Sequence, residues 1–187
     1  MTAIGAHANG SAVIAASKAT TVLGVDPGTL ATGWGLVHSD GRTLRMIGTG
    51  VIRTRPQDPL WDRLALIHDA IAAIANEHRP DALSLEQCFV SKNVQSALKL
   101  GHTRGVIMVA CRKAGAEVFE YAPSQVKSAV TGSGKAEKHQ VAEMIRIMLA
   151  LQKAPPADAS DACAAAICHI NHVSGALGRL MTMAVRR

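Results

Sequence analysis

Apolar and polar positions along the chain follow two periods, and each change of period marks an element. Val22-Leu23-Gly24-Val25 is a short apolar run stopped by Asp26-Pro27-Gly28-Thr29, so it predicts a strand with a carboxylate at its tip. Gly33 to Ser39 and Leu44 to Gly48 read as two more strands around the turn dipeptide Asp40-Gly41, with Gly50-Val51-Ile52-Arg53 extending or following the second. Beyond Pro59, Leu60, Leu64, Ile67, Ile71 and Ile74 recur at four, three, four and three, the stripe of an amphipathic helix that Arg79-Pro80 ends. Ala82 to Gln87 then predicts a buried strand ending near Glu86, followed by a loop over Cys88 to Val94 and a helix over Ser96 to Ala114. Ala97, Gly101 and Gly105 are four apart on that helix, a line of small residues expected to admit another backbone closely. A strand over Glu117 to Tyr121, a short helix opening at Pro123, a helix carrying Val141, Ile145 and Met148, and a last helix from Ala157 to Val173 complete the pattern.

This order implies an α/β domain with a mixed sheet covered by helices on both faces. Right-handed crossovers set the fourth strand beside the first, so Asp26 and Glu86 are expected to face each other. Residues 1–20, rich in Ala, Gly and Ser and without the basic start of a secretory leader, read as a disordered extension, and 175–187 as a flexible tail. The 187 residues suit one domain, and no apolar run approaches the roughly 20 residues of a membrane helix. Cys88, Cys111, Cys163 and Cys168 form no C-x-x-C pair, which fits reduced thiols in a cytoplasm.

Asp158 and Asp161, three apart on the last helix, share a face and are expected to project toward Asp26 and Glu86. Singly, each acid has an ordinary explanation as a turn former, a solvated charge or, for Asp158 after Pro155-Pro156, a helix cap. Together they are harder to dismiss, because Glu86 and Asp161 interrupt apolar sequence where an unpartnered charge is costly. Four converging carboxylates make sense around divalent cations, and an all-oxygen donor set points to Mg²⁺ or Mn²⁺. Two such ions suit phosphodiester hydrolysis. Lysine and arginine number 20 against 14 acids, a net charge of +6; with four acids set aside for metal, the remaining surplus favours a nucleic-acid substrate.

Val25-Asp26-Pro27-Gly28-Thr29, Leu85-Glu86-Gln87-Cys88-Phe89, Ser96-Ala97-Leu98-Lys99-Leu100-Gly101, Gln125-Val126-Lys127, Ala136-Glu137-Lys138 and Ala157-Asp158-Ala159-Ser160-Asp161-Ala162 together resemble the RuvC family of bacterial Holliday junction resolvases, collinearly from about Val22 to Val173. The resemblance implies a ribonuclease H-like fold over 21–174, a five-stranded mixed sheet, and a Mg²⁺-dependent homodimer that makes paired nicks in a four-way DNA junction. It implies ligatable 5′-phosphate and 3′-hydroxyl ends and a RuvA-RuvB branch-migration complex as partner. By position, Asp26, Glu86, Asp158 and Asp161 correspond to the metal-binding catalytic acids, and Phe89 to an aromatic at the junction crossover. Lys127 and Lys138 fall on positions associated with DNA contact and catalysis. Lys92, Arg104 and Arg53 are weaker phosphate-contact candidates.

Gly132-Ser133-Gly134-Lys135 fails as a nucleotide loop, since Ala129 and Ala136 stand where G-x-x-x-x-G-K-[ST] needs Gly and Ser or Thr. His169 and His172 read as packing or surface residues, with His169 bordering the acidic site. The rival functions are a related nuclease on RNA–DNA hybrids and a junction-binding protein without activity, the second disfavoured by four retained acids.

Overall fold

A computed structural model describes residues 19–87 and 93–175. Its elements are β1 (Thr20–Asp26), β2 (Ala31–Ser39), β3 (Leu44–Arg53), α1 (Leu60–His78), β4 (Ala82–Glu86), α2 (Val94–Lys113), β5 (Glu117–Tyr121), α3 (Pro123–Thr131), α4 (Lys138–Met148) and α5 (Ala157–Ser174). The sheet order is β3-β2-β1-β4-β5, with β1, β2 and β3 antiparallel and β4 and β5 parallel to β1. This is the expected α/β architecture.

Local chemistry explains the boundaries that differ from expectation. Thr20, assigned above to the disordered extension, pairs with Ser39 as the first residue of β1; residues 1–18 and 176–187 lie outside the described part. Asp40 and Gly41 do not form a two-residue turn. Residues 40–43 make the connection, with the Asp40 carboxylate accepting from the Arg42 and Thr43 amides at 2.8 Å each. Those bonds hold the Asp40 carboxyl down at about 2. Gly48 and Gly50 do not break the third strand, because both lie beneath the Trp34 ring, where a Cβ would come within 3.2 and 2.9 Å of it. The extra residue Ile47 bulges out between the pairs Leu36–Gly48 and Val37–Met46. Helix α2 begins before Ser96 because Asn93 caps it, accepting from the Ser96 amide at 3.1 Å.

The sheet divides the core in two. Leu23, Val25, Leu36, Leu83 and Leu85 meet α1 and α2 through Ile67, Ile71 and Ile107 on one face. Val22, Val37 and Tyr121 meet α3, α4 and α5 through Val126, Ile145 and Ile167 on the other. No helix among the described residues is long and apolar enough to cross a membrane.

Candidate active site

Strand alternation decides which way the acids point. Val25 and Leu85 belong to the α1/α2 core, so Asp26 and Glu86, one residue on, turn to the opposite face, which α5 covers. The last paired residues of β1 and β4 are Val25 and Leu85, which leaves the two acids side by side at the strand tips. The turn after Asp26 is held by other groups: Thr32 Oγ1 donates to the Gly28 carbonyl at 2.6 Å and Thr54 Oγ1 to that of Thr29 at 2.6 Å. Asp26 is therefore not required as a turn former.

Backbone contact seats α5 on this face. A Cβ on Gly24 would stand 1.9 Å from the Ala162 carbonyl oxygen, one on Gly33 2.0 Å from the Asp158 carbonyl oxygen, and one on Gly35 2.4 Å from Cys163 Sγ. Gly24 is the register partner of Gly35, and Asp26 that of Gly33, so the glycines line a trough ending beside the Asp26 carboxylate. Ser84 adds a hydrogen bond from β4, donating to the Ala165 carbonyl at 2.6 Å. Pro156 is the helix N-cap, so Asp158 sits in the first turn without capping it, and Asp161 follows one turn later. The close approach expected at Gly101 and Gly105 occurs instead in this trough. A Cβ on either α2 glycine would meet nothing within 4 Å. The signal that could have located it was the Gly33-x-Gly35 spacing opposite Gly24, which puts three missing side chains on one face of the sheet.

Asp26, Glu86 and Asp161 line a cavity of about 260 Å³ with Lys127 and Lys138, walled by Pro123, Val126, Val141 and Ala164. A larger groove of about 400 Å³ lies between β5, α3 and α5, but among the described residues no carboxylate lines it. Asp158 is not in the cavity wall, yet its charge reaches Asp26. Burial, then the charges of Asp161, Asp158 and Glu86, push the Asp26 carboxyl up to about 7, against the pull of Lys138. Glu86 is raised by burial and then by Asp161, with Lys127, Lys138 and Arg104 opposing. Lys138 Nζ lies 3.1 Å from Asp161 Oδ2 and is itself raised by that contact.

The donor set and its mutual repulsion fit a hard divalent cation. Among the described residues, however, no group of three His, Cys, Asp or Glu side chains is gathered closely enough to hold one. The fit rests on charge and donor type, not on a preformed coordination shell.

The other expected site residues divide three ways. Lys127 and Lys138 are at the cavity; Phe89 and Lys92 lie outside the described residues. Arg53 is exposed at the end of β3. Arg104 corrects the expectation of a phosphate contact: it is only 8% exposed, and its guanidinium donates to the Glu86 carbonyl oxygen and pairs with Glu120. His169 is a packing residue, as expected, but does not border the acidic site. It is buried beneath Phe119, with Nδ1 2.7 Å from the Tyr121 hydroxyl, and burial, with a smaller effect of His172, lowers it to about 4.

The family model for crossover junction endodeoxyribonuclease RuvC matches residues 22–169. A protein of that name from Halorhodospira halophila is 47% identical over 167 residues, covering 89% of this chain and 99% of the relative. One from Sodalis glossinidius is 49% identical over 155 residues, covering 83% and 88%. Thermus thermophilus RuvC superposes with a TM-score of 0.77 at 35% identity, over 87% of this chain and 97% of that one. The same protein in complex with a Holliday junction substrate gives 0.79 at 36% identity, over 83% and 95%. The yeast mitochondrial Holliday junction resolvase Ydc2, at 10% identity and a TM-score of 0.58 over 86% of each chain, shares the fold.

Proposed function

The chain belongs to the RuvC family of crossover junction endodeoxyribonucleases, and as a nuclease that resolves Holliday junctions we propose that it works through Asp26, Glu86, Asp158 and Asp161. The observation that carries this reading is the meeting of Asp26, Glu86 and Asp161, from three separate elements, in one cavity where burial and mutual repulsion hold Asp26 protonated up to about pH 7. Such a cluster stores repulsion that a divalent cation relieves. The four acids would hold Mg²⁺, two ions per site, with Mn²⁺ as a substitute. When bound, Mg²⁺ supplies Lewis-acid charge against the phosphodiester oxygens and eases deprotonation of the attacking water.

The chain's own side chains orient that chemistry. Lys127 and Lys138 bring positive charge to the cavity edge and attract a phosphate that the acids alone would repel. Phe89 and Lys92, in the segment between β4 and α2, are proposed to stack on a base at the crossover and to contact phosphate. The proposed products are a 5′-phosphate and a 3′-hydroxyl that a ligase can join.

Symmetric incision needs one site per opposing strand, which a two-fold dimer provides. We place the dimer contact on α2, whose outer face exposes Val94, Leu98 and Val109 around the open Gly101 and Gly105. The RuvA-RuvB branch-migration complex is the proposed partner, and the cytoplasm, where the free thiols of Cys111, Cys163 and Cys168 stay reduced, is the proposed location.

Incubation with a synthetic mobile four-way junction, with and without Mg²⁺, and mapping of nicks on all strands tests the function. Paired nicks in opposing strands only with Mg²⁺ are expected, with Asp26→Asn binding but not cutting. Undiminished cutting by Asp26→Asn, or preferential cutting of an RNA–DNA hybrid, would overturn it.

A further inference from the structure

Glu86 is the last residue of β4, and a strand end is poorly placed to aim a side chain, because the ladder that fixes its backbone stops there. The β1–β4 pairing ends at Val25–Leu85. On the β5 side the Gln87 amide still donates to the Tyr121 carbonyl at 2.7 Å. A trans peptide points its N–H and C=O in opposite directions, so this bond turns the Glu86 carbonyl oxygen toward the β1 side, where the β1–β4 pairing has ended and Pro27, which follows Asp26, has no N–H to offer. Arg104 of α2 fills that gap. Its Nη1 donates to the Glu86 carbonyl oxygen, while Nη2 pairs with Glu120 of β5.

The peptide group joining Glu86 to Gln87 is thereby pinned on both sides, by Arg104 at its oxygen and by Tyr121 at its nitrogen. Pinning that plane fixes the backbone torsion that sets the Cα–Cβ direction of Glu86. Arg104 reaches the strand from the α1/α2 side of the sheet, on which Leu85 packs, whereas the Glu86 carboxylate opens into the cavity on the α5 side. It therefore acts on the carboxylate through the backbone. Its fork is suited to this, since one guanidinium satisfies a carbonyl and a carboxylate at once, which an ammonium on a flexible stem does less well.

We infer that Arg104 is a positioning residue for the nuclease reaction, holding the Glu86–Gln87 peptide so that the Glu86 carboxylate faces Asp26 and Asp161. The inference rests on the assignment of Glu86 to the catalytic acids.

The test compares Arg104→Met and Arg104→Lys with wild type in the full chain. Readouts are kcat and KM on the four-way junction, direct Mn²⁺ binding by electron paramagnetic resonance, thermal stability, and junction binding in chelator. For Arg104→Met the expectation is a fall in kcat of ~10- to 100-fold with KM changed less than about threefold, as for a misaimed catalytic group. Mn²⁺ binding should weaken, and Arg104→Lys should recover part of both losses. Wild-type kcat and Mn²⁺ binding in a folded Arg104→Met protein would overturn the proposal. So would losses in Arg104→Met that merely track melting at the assay temperature, or an Arg104→Lys protein no better than Arg104→Met. Glu86→Gln separates this from the prior reading: wild-type cutting by that variant refutes the assignment of Glu86 itself, whatever Arg104 does.

Discussion

Asp26 bears the clearest electrostatic burden in the molecule, and the burden has a sign that can be measured. Its carboxyl stands at about 7 when folded against an ordinary 3.8. Below pH ~4 both folded and unfolded chains hold the proton and there is no penalty. Between about 4 and 7 the unfolded chain releases it first, so stability in chelator falls as pH rises, and above about 7 the loss is complete, on the order of 4 kcal/mol. Asp26→Asn is therefore expected to flatten the decline in melting temperature between pH 4 and 7 and to raise it at pH 8 by roughly 5 °C or more. An unchanged slope in differential scanning calorimetry would contradict the assigned electrostatics. The acids themselves were legible as residue types at strand tips and on one helix face, since alternation and helical spacing are local properties of sequence. Arg104 was not. Nothing in the run His102-Thr103-Arg104-Gly105 distinguishes an arginine turned to solvent from one turned beneath a sheet, because that choice depends on where β1 ends, at Asp26, far earlier in the chain.

At the scale of elements, the seating of α5 on β1 and β2 controls how far Asp158 and Asp161 stand from Asp26. Gly24→Ala and Gly33→Ala force a Cβ against helix backbone, which no side-chain rotation relieves. Each is expected to cost roughly 1–3 kcal/mol in urea unfolding and to impair cutting more than junction binding. Wild-type stability and activity for both would mean that the trough is not a constraint. The α2 glycines supply the contrasting case. A Cβ at Gly105 meets nothing within 4 Å, so Gly105→Arg should keep its circular dichroism yet sediment as a monomer if α2 forms the dimer face; a dimer indistinguishable from wild type would place the contact elsewhere. The antiparallel meander, the succession of helices and the placement of β4 beside β1 could be read from periodicity and crossover handedness. Which small residues admit a neighbouring backbone could not, because glycine spacing marks a possible approach on α2 and on β2 alike and only packing chooses between them.

For the whole molecule, a net charge of +6 combines with an acidic cavity edged by Lys127 and Lys138. Junction affinity is accordingly expected to fall steeply with salt, and Lys127→Ala or Lys138→Ala to reduce the slope of log affinity against log salt by about 0.9 each. Unaltered slopes in fluorescence anisotropy titrations would remove both lysines from the DNA interface. Charge balance and motif order made a nucleic-acid nuclease readable in the sequence, whereas the absence of a preformed three-ligand shell among the described residues was not, because it depends on side-chain positions. Cation binding by these carboxylates is what the proposed activity depends on. Its most direct test is an anomalous difference map from crystals of the protein with Mn²⁺ and an uncleavable junction. Density is expected ~2–2.5 Å from oxygens of Asp26, Glu86 and Asp161, with Asp158 drawn in. Anomalous density only at other sites, with these carboxylates bare, would contradict it.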